Sequence, residues 1–142
     1  MDQFKQLENG MLIGPQPTEG DLRQAKQEGI KTVIDFRMPS EPPTPNAELV
    51  ARSDLDYVNI PVSKASLSSD QVEELDRALL DKDGPFLLHC ASGARAATFL
   101  VLSQARQNGW TAQRAFQEAR AMGFDLENSP EFANFINATA SA

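Results

Sequence analysis

The run His89-Cys90-Ala91-Ser92-Gly93-Ala94-Arg95-Ala96 contains the single cysteine and the single histidine of the chain. Phe86-Leu87-Leu88-His89 reads as a buried strand, and Ala96, Ala97, Leu100, Val101 and Leu102 give the next segment an apolar helical face. Cys90 therefore falls on a strand-to-helix turn, where unpaired N–H groups and the helix dipole favour negative charge. Such surroundings lower a thiol pKa and present a thiolate, the nucleophilic form. Arg95, five positions on, carries a planar set of donors suited to an oxyanion. The N–H groups of Ala91, Ser92, Gly93, Ala94 and Ala96 complete the expected anion-binding loop. The plainer alternative makes Cys90 a small buried hydrophobe and Arg95 a surface charge. The strand before Cys90, the glycine after it and an arginine at cradle distance favour chemistry. His89 is open between two readings: a hydrogen-bonding support for the loop, or a satisfied buried histidine.

The elements that must hold this loop are legible around it. The 142 residues suffice for one domain, 1–142, with a core of its own. Leu7 to Ile13, with Asn9-Gly10 as turn, predicts a hairpin-like entry. Thr18 caps a helix running to Gln27 and ended by Gly29. Lys31 to Phe36 reads as a strand, and Met38 to Pro45, with four prolines, as a loop that is either a lid or a connection. Asn46 to Arg52 reads as a short helix, and Tyr57 to Ile60 as a third strand. Ser68 or Ser69 caps a helix carrying Val72, Leu75, Ala78 and Leu79, closed by Asp83-Gly84-Pro85. The helix after Cys90 ends at Asn108-Gly109, Thr111 caps another to Met122, and Ser129-Pro130 opens the last. Trp110 is assigned to stapling the start of its following helix. Alternating strands and helices predict an α/β sandwich, three layers around a mostly parallel sheet. Ligands bind beyond the carboxyl ends of such strands. Cys90, the segment after Asp35-Phe36-Arg37 and the loop from Val62 to Ser69 should share that rim.

Charge and composition narrow the partners. A net charge of −7 argues against a nucleic-acid or anionic-membrane surface. A small anionic substrate remains compatible, since a local Arg and a helix end can outweigh distant acids. One cysteine and one histidine exclude an internal disulfide and give no set of zinc ligands. Without a membrane-length apolar run, and with Met1 to Lys5 unlike a signal peptide, the expected location is cytoplasmic.

The ordered set Ile13-Gly14-Pro15-Gln16-Pro17-Thr18, Gly29 to Arg37, Tyr57-Val58-Asn59-Ile60-Pro61-Val62 and His89-Cys90 to Arg95 resembles the phosphatase-like domain of beta-lactamase-hydrolase-like proteins. That family is similar in fold to dual-specificity protein phosphatases. The resemblance runs from about Leu7 to Met122 and implies Cys90 as nucleophile and Arg95 as oxyanion ligand.

Three departures bear on the reaction. Such phosphatases place five residues between Cys and Arg, whereas Ala91, Ser92, Gly93 and Ala94 alone intervene here. The loss removes one N–H and about 3.8 Å of contour, and the shorter loop resembles that of rhodanese-type sulfurtransferases. A phosphatase general-acid Asp is expected soon after the third strand, where this chain has Ser63-Lys64. Asp70 belongs to the first turn of the next helix, and Asp35 to an ion pair with Arg37. An absent acid costs on the order of 10²–10⁴-fold. Finally, Ala96 replaces the hydroxyl residue common after the phosphatase Arg.

These departures place sulfane-sulfur transfer first. Cys90 would take sulfur from thiosulfate or a persulfide, release an anion bound by Arg95 and the loop N–H groups, and pass the sulfur to an external thiol. Lys64 would either add charge at the rim or stand as an ordinary solvated lysine, the plainer of the two readings. The alternative is phosphomonoester hydrolysis through a cysteinyl-phosphate, in which Asp35 or Asp70 would have to act as a displaced acid, and a non-catalytic anion-binding module is third. None of the three calls for a cofactor or a metal.

Overall fold

The computed structural model describes residues 2–42 and 46–140. Lys5–Gln6 (β1) and Leu12–Gly14 (β2) form the entry hairpin around a 3₁₀ turn at Glu8–Gly10. Asn9 takes the left-handed backbone, φ 63°, that a tight turn needs and asparagine tolerates. Then follow Glu19–Gln27 (α1), Thr32–Asp35 (β3), Asn46–Arg52 (α2), Asp56–Asn59 (β4), Ser69–Asp81 (α3) and Phe86–His89 (β5). Ala94–Asn108 (α4), Ala112–Ala121 (α5) and Pro130–Thr139 (α6) complete the chain. The expected lid or connection is described as far as residue 42; its end, 43–45, lies outside the described residues.

Local chemistry sets the helix starts. Thr18 and Ser68 each form a reciprocal capping box, with Asp21 and Gln71 answering from the third helical position. Thr111 accepts from the Arg114 N–H, and Pro130 occupies the first turn of α6. Trp110 does stand at the entry to α5, where the Arg114 guanidinium lies 4.9 Å from its ring centroid.

The sheet order is β1-β2-β5-β3-β4, parallel throughout except for the β1–β2 hairpin. Side chains alternate between its faces. Leu12, Val33 and Leu87 pack with Leu22, Ala25 and Val50 of α1 and α2. Ile13, Ile34 and Leu88 pack with α3, α4, α5 and α6 on the other side. This is the three-layer α/β sandwich. Helix α4 lies deepest, with Ala96 through Ser103 and Ala105 all buried. The apolar face expected there extends around most of the helix, because sheet and helices enclose it.

The register aligns the strand ends. Gly14 pairs with His89, His89 with Asp35, and Asp35 with Asn59. The segments leaving β2, β3, β4 and β5 consequently emerge at one edge. Hydrogen bonds continue past the strands: Phe36 N–H donates to the His89 carbonyl at 2.9 Å, and Val62 N–H to the Phe36 carbonyl at 3.1 Å. Among the described residues, no helix is long and apolar enough to cross a membrane.

Candidate active site

Cys90 follows the last residue of β5, and Gly93 caps α4. The turn needs a left-handed residue, and Gly93 supplies φ 103°. Its N–H donates to Cys90 Sγ at 3.0 Å. The loop thus aims at least one backbone donor at the sulfur itself. A Cβ at position 93 would lie 2.6 Å from the Phe124 ring, so glycine is also required for packing. Gln16 N–H reaches the Ala91 carbonyl at 3.3 Å and ties the loop to the segment after β2.

The thiol is less accessible than the sequence leads one to expect. Cys90 is fully buried and packs with the larger core cluster. The plain reading of a small buried hydrophobe thus describes its surroundings, while the Gly93 N–H and the charge of Arg95 bear on its sulfur. Ala91 and Ser92 are exposed, Ala94 is half-buried, and Ala96 is buried in the first turn of α4. The hydroxyl missing at Ala96 is not replaced by Thr98, whose Oγ1 donates back to the Ala94 carbonyl at 2.9 Å.

Arg95 is held by a residue that sequence reasoning missed. Its Nη1 donates to Glu41 Oε2 and its Nη2 to Glu41 Oε1, both at 2.7 Å. Nη1 also meets the Val62 carbonyl at 2.9 Å. The bidentate contact with Glu41 raises the Arg95 pKa, to which Cys90 also contributes. In return, Arg95 first, and the Met38 N–H after it, bring the Glu41 carboxyl down to about 2. Glu41 is fixed locally as well. Its Oε2 accepts from Met38 N–H at 2.6 Å, and its own N–H donates to the Met38 carbonyl at 3.0 Å. A signal was available: the loop leaving β3 at the functional edge carries this one carboxylate before α2.

Beneath this pair lies a polar cluster. Asp35 Oδ1 accepts from the Arg37 N–H at 2.9 Å and from Arg37 Nε at 3.2 Å. Its Oδ2 accepts from Tyr57 at 2.7 Å, Asn46 Nδ2 at 3.0 Å and Arg37 Nη2 at 3.3 Å. Asp35 and Arg37 form a buried ion pair, and that commitment leaves Asp35 poorly placed to act as an acid. His89 is buried, with Nδ1 3.4 Å from the Cys90 carbonyl and Nε2 3.4 Å from Asn46 Nδ2. His89 is thus a buried side chain beside the loop backbone.

The mouth of the site is a cavity of about 310 Å³ lined by Met38, Glu41, Ser63, Lys64, Ser92, Ala94, Arg95 and Phe132. Lys64 stands at the expected rim, its Nζ 5.2 Å from the Phe132 ring centroid. Asp70 is exposed in the first turn of α3 and does not line the cavity. Among the described residues, Glu41 is the one carboxylate that does. No group of three His, Cys, Asp or Glu side chains among them forms a metal-ligand set.

The family model for the beta-lactamase hydrolase-like protein, phosphatase-like domain, matches residues 3–107. The chain belongs to this family. Beta-lactamase hydrolase-like proteins of Agrobacterium fabrum and Xylella fastidiosa are 26% and 28% identical to it over 121 residues. Those matches cover 82% of this chain but 28% of each relative, so the phosphatase-like domain corresponds to a minor part of their length. A "putative phosphatase" from Neisseria meningitidis superposes with a TM-score of 0.79 at 25% identity, covering 98% of this chain and 99% of that one. The core catalytic domain of a PP-IP phosphatase from S. cerevisiae, in complex with citrate, gives a TM-score of 0.75. At 18% identity, over 94% of this chain and 83% of that one, it shares the fold. Both of these solved structures are named as phosphatases, and neither they nor the family description supports the sulfurtransferase preference drawn from the loop length.

Proposed function

We propose that the domain is a cysteine-dependent phosphomonoesterase that works through a cysteinyl-phosphate on Cys90. The observation that carries this reading is one loop holding Cys90 Sγ on the Gly93 N–H and Arg95 within five residues, on a phosphatase-like fold. A phosphoryl group is a small tetrahedral anion, and the Arg95 guanidinium with the loop N–H groups is a matched set of donors. Cys90 Sγ attacks phosphorus, the P–O bond to the alcohol breaks, and the alcohol oxygen takes a proton as it leaves. Water then attacks the same phosphorus, the S–P bond breaks, and inorganic phosphate departs. Lys64 at the mouth adds positive charge toward an anionic substrate.

Sulfane-sulfur transfer stays as the second reading because of the four-residue spacing between Cys90 and Arg95. In that reaction the Cys90 thiolate bonds to the outer sulfur of thiosulfate, the S–S bond breaks, and sulfite leaves with the electron pair. An external thiol would then take the sulfur from the Cys90 persulfide. Intact mass separates the two, since the chain has one cysteine. The phosphatase reading expects turnover of an aryl phosphate, a transient phosphoryl adduct and neither with Cys90→Ser. One sulfur atom gained from thiosulfate, removed by cyanide, with no aryl phosphate turnover, would reverse the order.

A further inference from the structure

We propose that Glu41 is the general acid of the site, displaced from Arg95 by the substrate and left beside the leaving group. The inference rests on the phosphatase reading above. Three observations converge on it. The segment after β4 offers Ser63 and Lys64 in place of an acid, and Asp35 and Asp70 are both excluded by position. Glu41 lines the mouth of the cavity together with Arg95, Ser63 and Lys64, and is the one carboxylate among the described residues to do so. Its two oxygens occupy both terminal nitrogens of Arg95, the donors that a phosphoryl group must engage.

Substrate binding and Glu41 release are therefore one event. A phosphoryl group that takes Arg95 removes the cation that keeps Glu41 ionised and sets an anion next to the freed carboxylate. Both changes favour the protonated acid. A monoester with one proton left on its phosphoryl group brings that proton with it, because its second ionisation lies near pH 6. The balance is then complete. The proton moves from the phosphoryl oxygen to Glu41, Sγ bonds to phosphorus, the P–O bond breaks, and Glu41 gives its proton to the alkoxide. In the second step the Glu41 carboxylate takes a proton from the attacking water. The local turn keeps Glu41 at hand throughout, since Arg37 Nη1 holds its carbonyl at 3.4 Å and the Met38 contacts hold the chain. Lys64 and Arg37 are the other charges at this edge, and neither can donate a proton to an alkoxide as readily as a carboxylic acid.

The test compares two aryl phosphates on the wild type, Glu41→Gln and Glu41→Asp. A nitrophenolate leaves without help, whereas a phenolate needs the proton. Glu41→Gln should lower kcat/KM for phenyl phosphate on the order of 10²-fold or more, and p-nitrophenyl phosphate by less than roughly 10-fold. Glu41→Asp should retain part of the phenyl phosphate activity. Equal losses on both substrates would make Glu41 a positioning residue for Arg95 and overturn the proposal. Gains on both would make it a tethered competitor for Arg95 and overturn it as well. A wild type that turns over neither substrate and forms no cysteinyl-phosphate would instead remove the phosphatase reading, and this assignment with it. Thermal melting of each variant checks the fold, since the Glu41 side chain is 28% exposed and outside the core.

Discussion

Asp35 and His89 are register partners at the carboxyl ends of β3 and β5, with 3.9 Å between Oδ1 and Nε2, yet His89 is neutral. Burial brings its pKa down to about 4 against the opposing pull of Asp35. The Asp35 carboxylate is instead committed to Arg37, Asn46 and Tyr57. The strand ends under Cys90 are thus held by a saturated carboxylate and an uncharged imidazole. Neither group adds mobile charge beneath the thiol.

A loss of stability in acid follows from that burial. A histidine with a folded pKa near 4 and an ordinary value of 6.5 binds fewer protons folded than unfolded between those limits. Stability therefore rises with pH across the window. The contribution is fully present above pH 6.5 and is lost as pH falls toward 4, by about 3 kcal/mol at most. Asp35, Arg37 and Arg95 are the charges that bear on His89. Glu41 adds a lower step, its stabilisation being present above about 4.5 and lost toward 2. Urea melts from pH 7 to 4 should show the upper loss, and His89→Asn should flatten it. A wild type equally stable at pH 7 and pH 4.5 would contradict the neutral assignment.

Removing the Asp35 carboxylate should be severe. Asp35→Ala withdraws the acceptor from three Arg37 donors, Asn46 and Tyr57 while leaving Arg37 buried. Breaking one side of a buried ion pair costs roughly 3–5 kcal/mol. For a chain of this length that is a fall in Tm of about 10 °C. Calorimetry reads it directly, and a shift under 3 °C would show that the cluster contributes little.

Much of this arrangement is legible from local chemistry. Thr18, Ser68 and Thr111 announce their helices because a cap acts over three residues. Phe86 to His89 and Ala94 to Asn108 are set by short-range pattern, and Cys90 is placed between them. What escapes is non-local. Glu41 meets Arg95 across 54 positions, from a proline-rich loop with no periodicity to mark it. The burial of Cys90 likewise depends on how α4 and the β2 segment close over the loop, and a strand-to-helix turn by itself does not set that depth. Strand β1 is too short to leave a pattern, and pairing with β2 alone defines it.

Gly93→Ala tests the loop that pattern did find. The residue sits at φ 103°, and a Cβ would approach Phe124 Cζ to 2.6 Å. Backbone strain and steric overlap should together cost about 1–3 kcal/mol. The Gly93 N–H would also turn from Cys90 Sγ, so activity should fall further than stability explains. Phe124→Ala combined with Gly93→Ala should recover the steric share of Tm but leave activity low. Full recovery of turnover in the double variant would mean that the positive φ is dispensable.

The accessibility of Cys90 gives the last prediction. The thiol is fully buried, and the charge of Arg95 bears on it while Glu41 and the Val62 carbonyl hold that side chain. A small alkylating agent must therefore wait for local opening. Glu41→Ala removes two charge-assisted hydrogen bonds from Arg95 and leaves the Val62 contact. If the pair closes the route to the sulfur, the variant should alkylate at least ~10-fold faster, the equivalent of about 1.4 kcal/mol in opening free energy. Iodoacetamide followed by intact mass measures this without ambiguity, since there is one cysteine to modify. Equal rates in both proteins would mean that the loop itself shields Cys90, and that opening requires movement of Gly93 rather than release of Arg95.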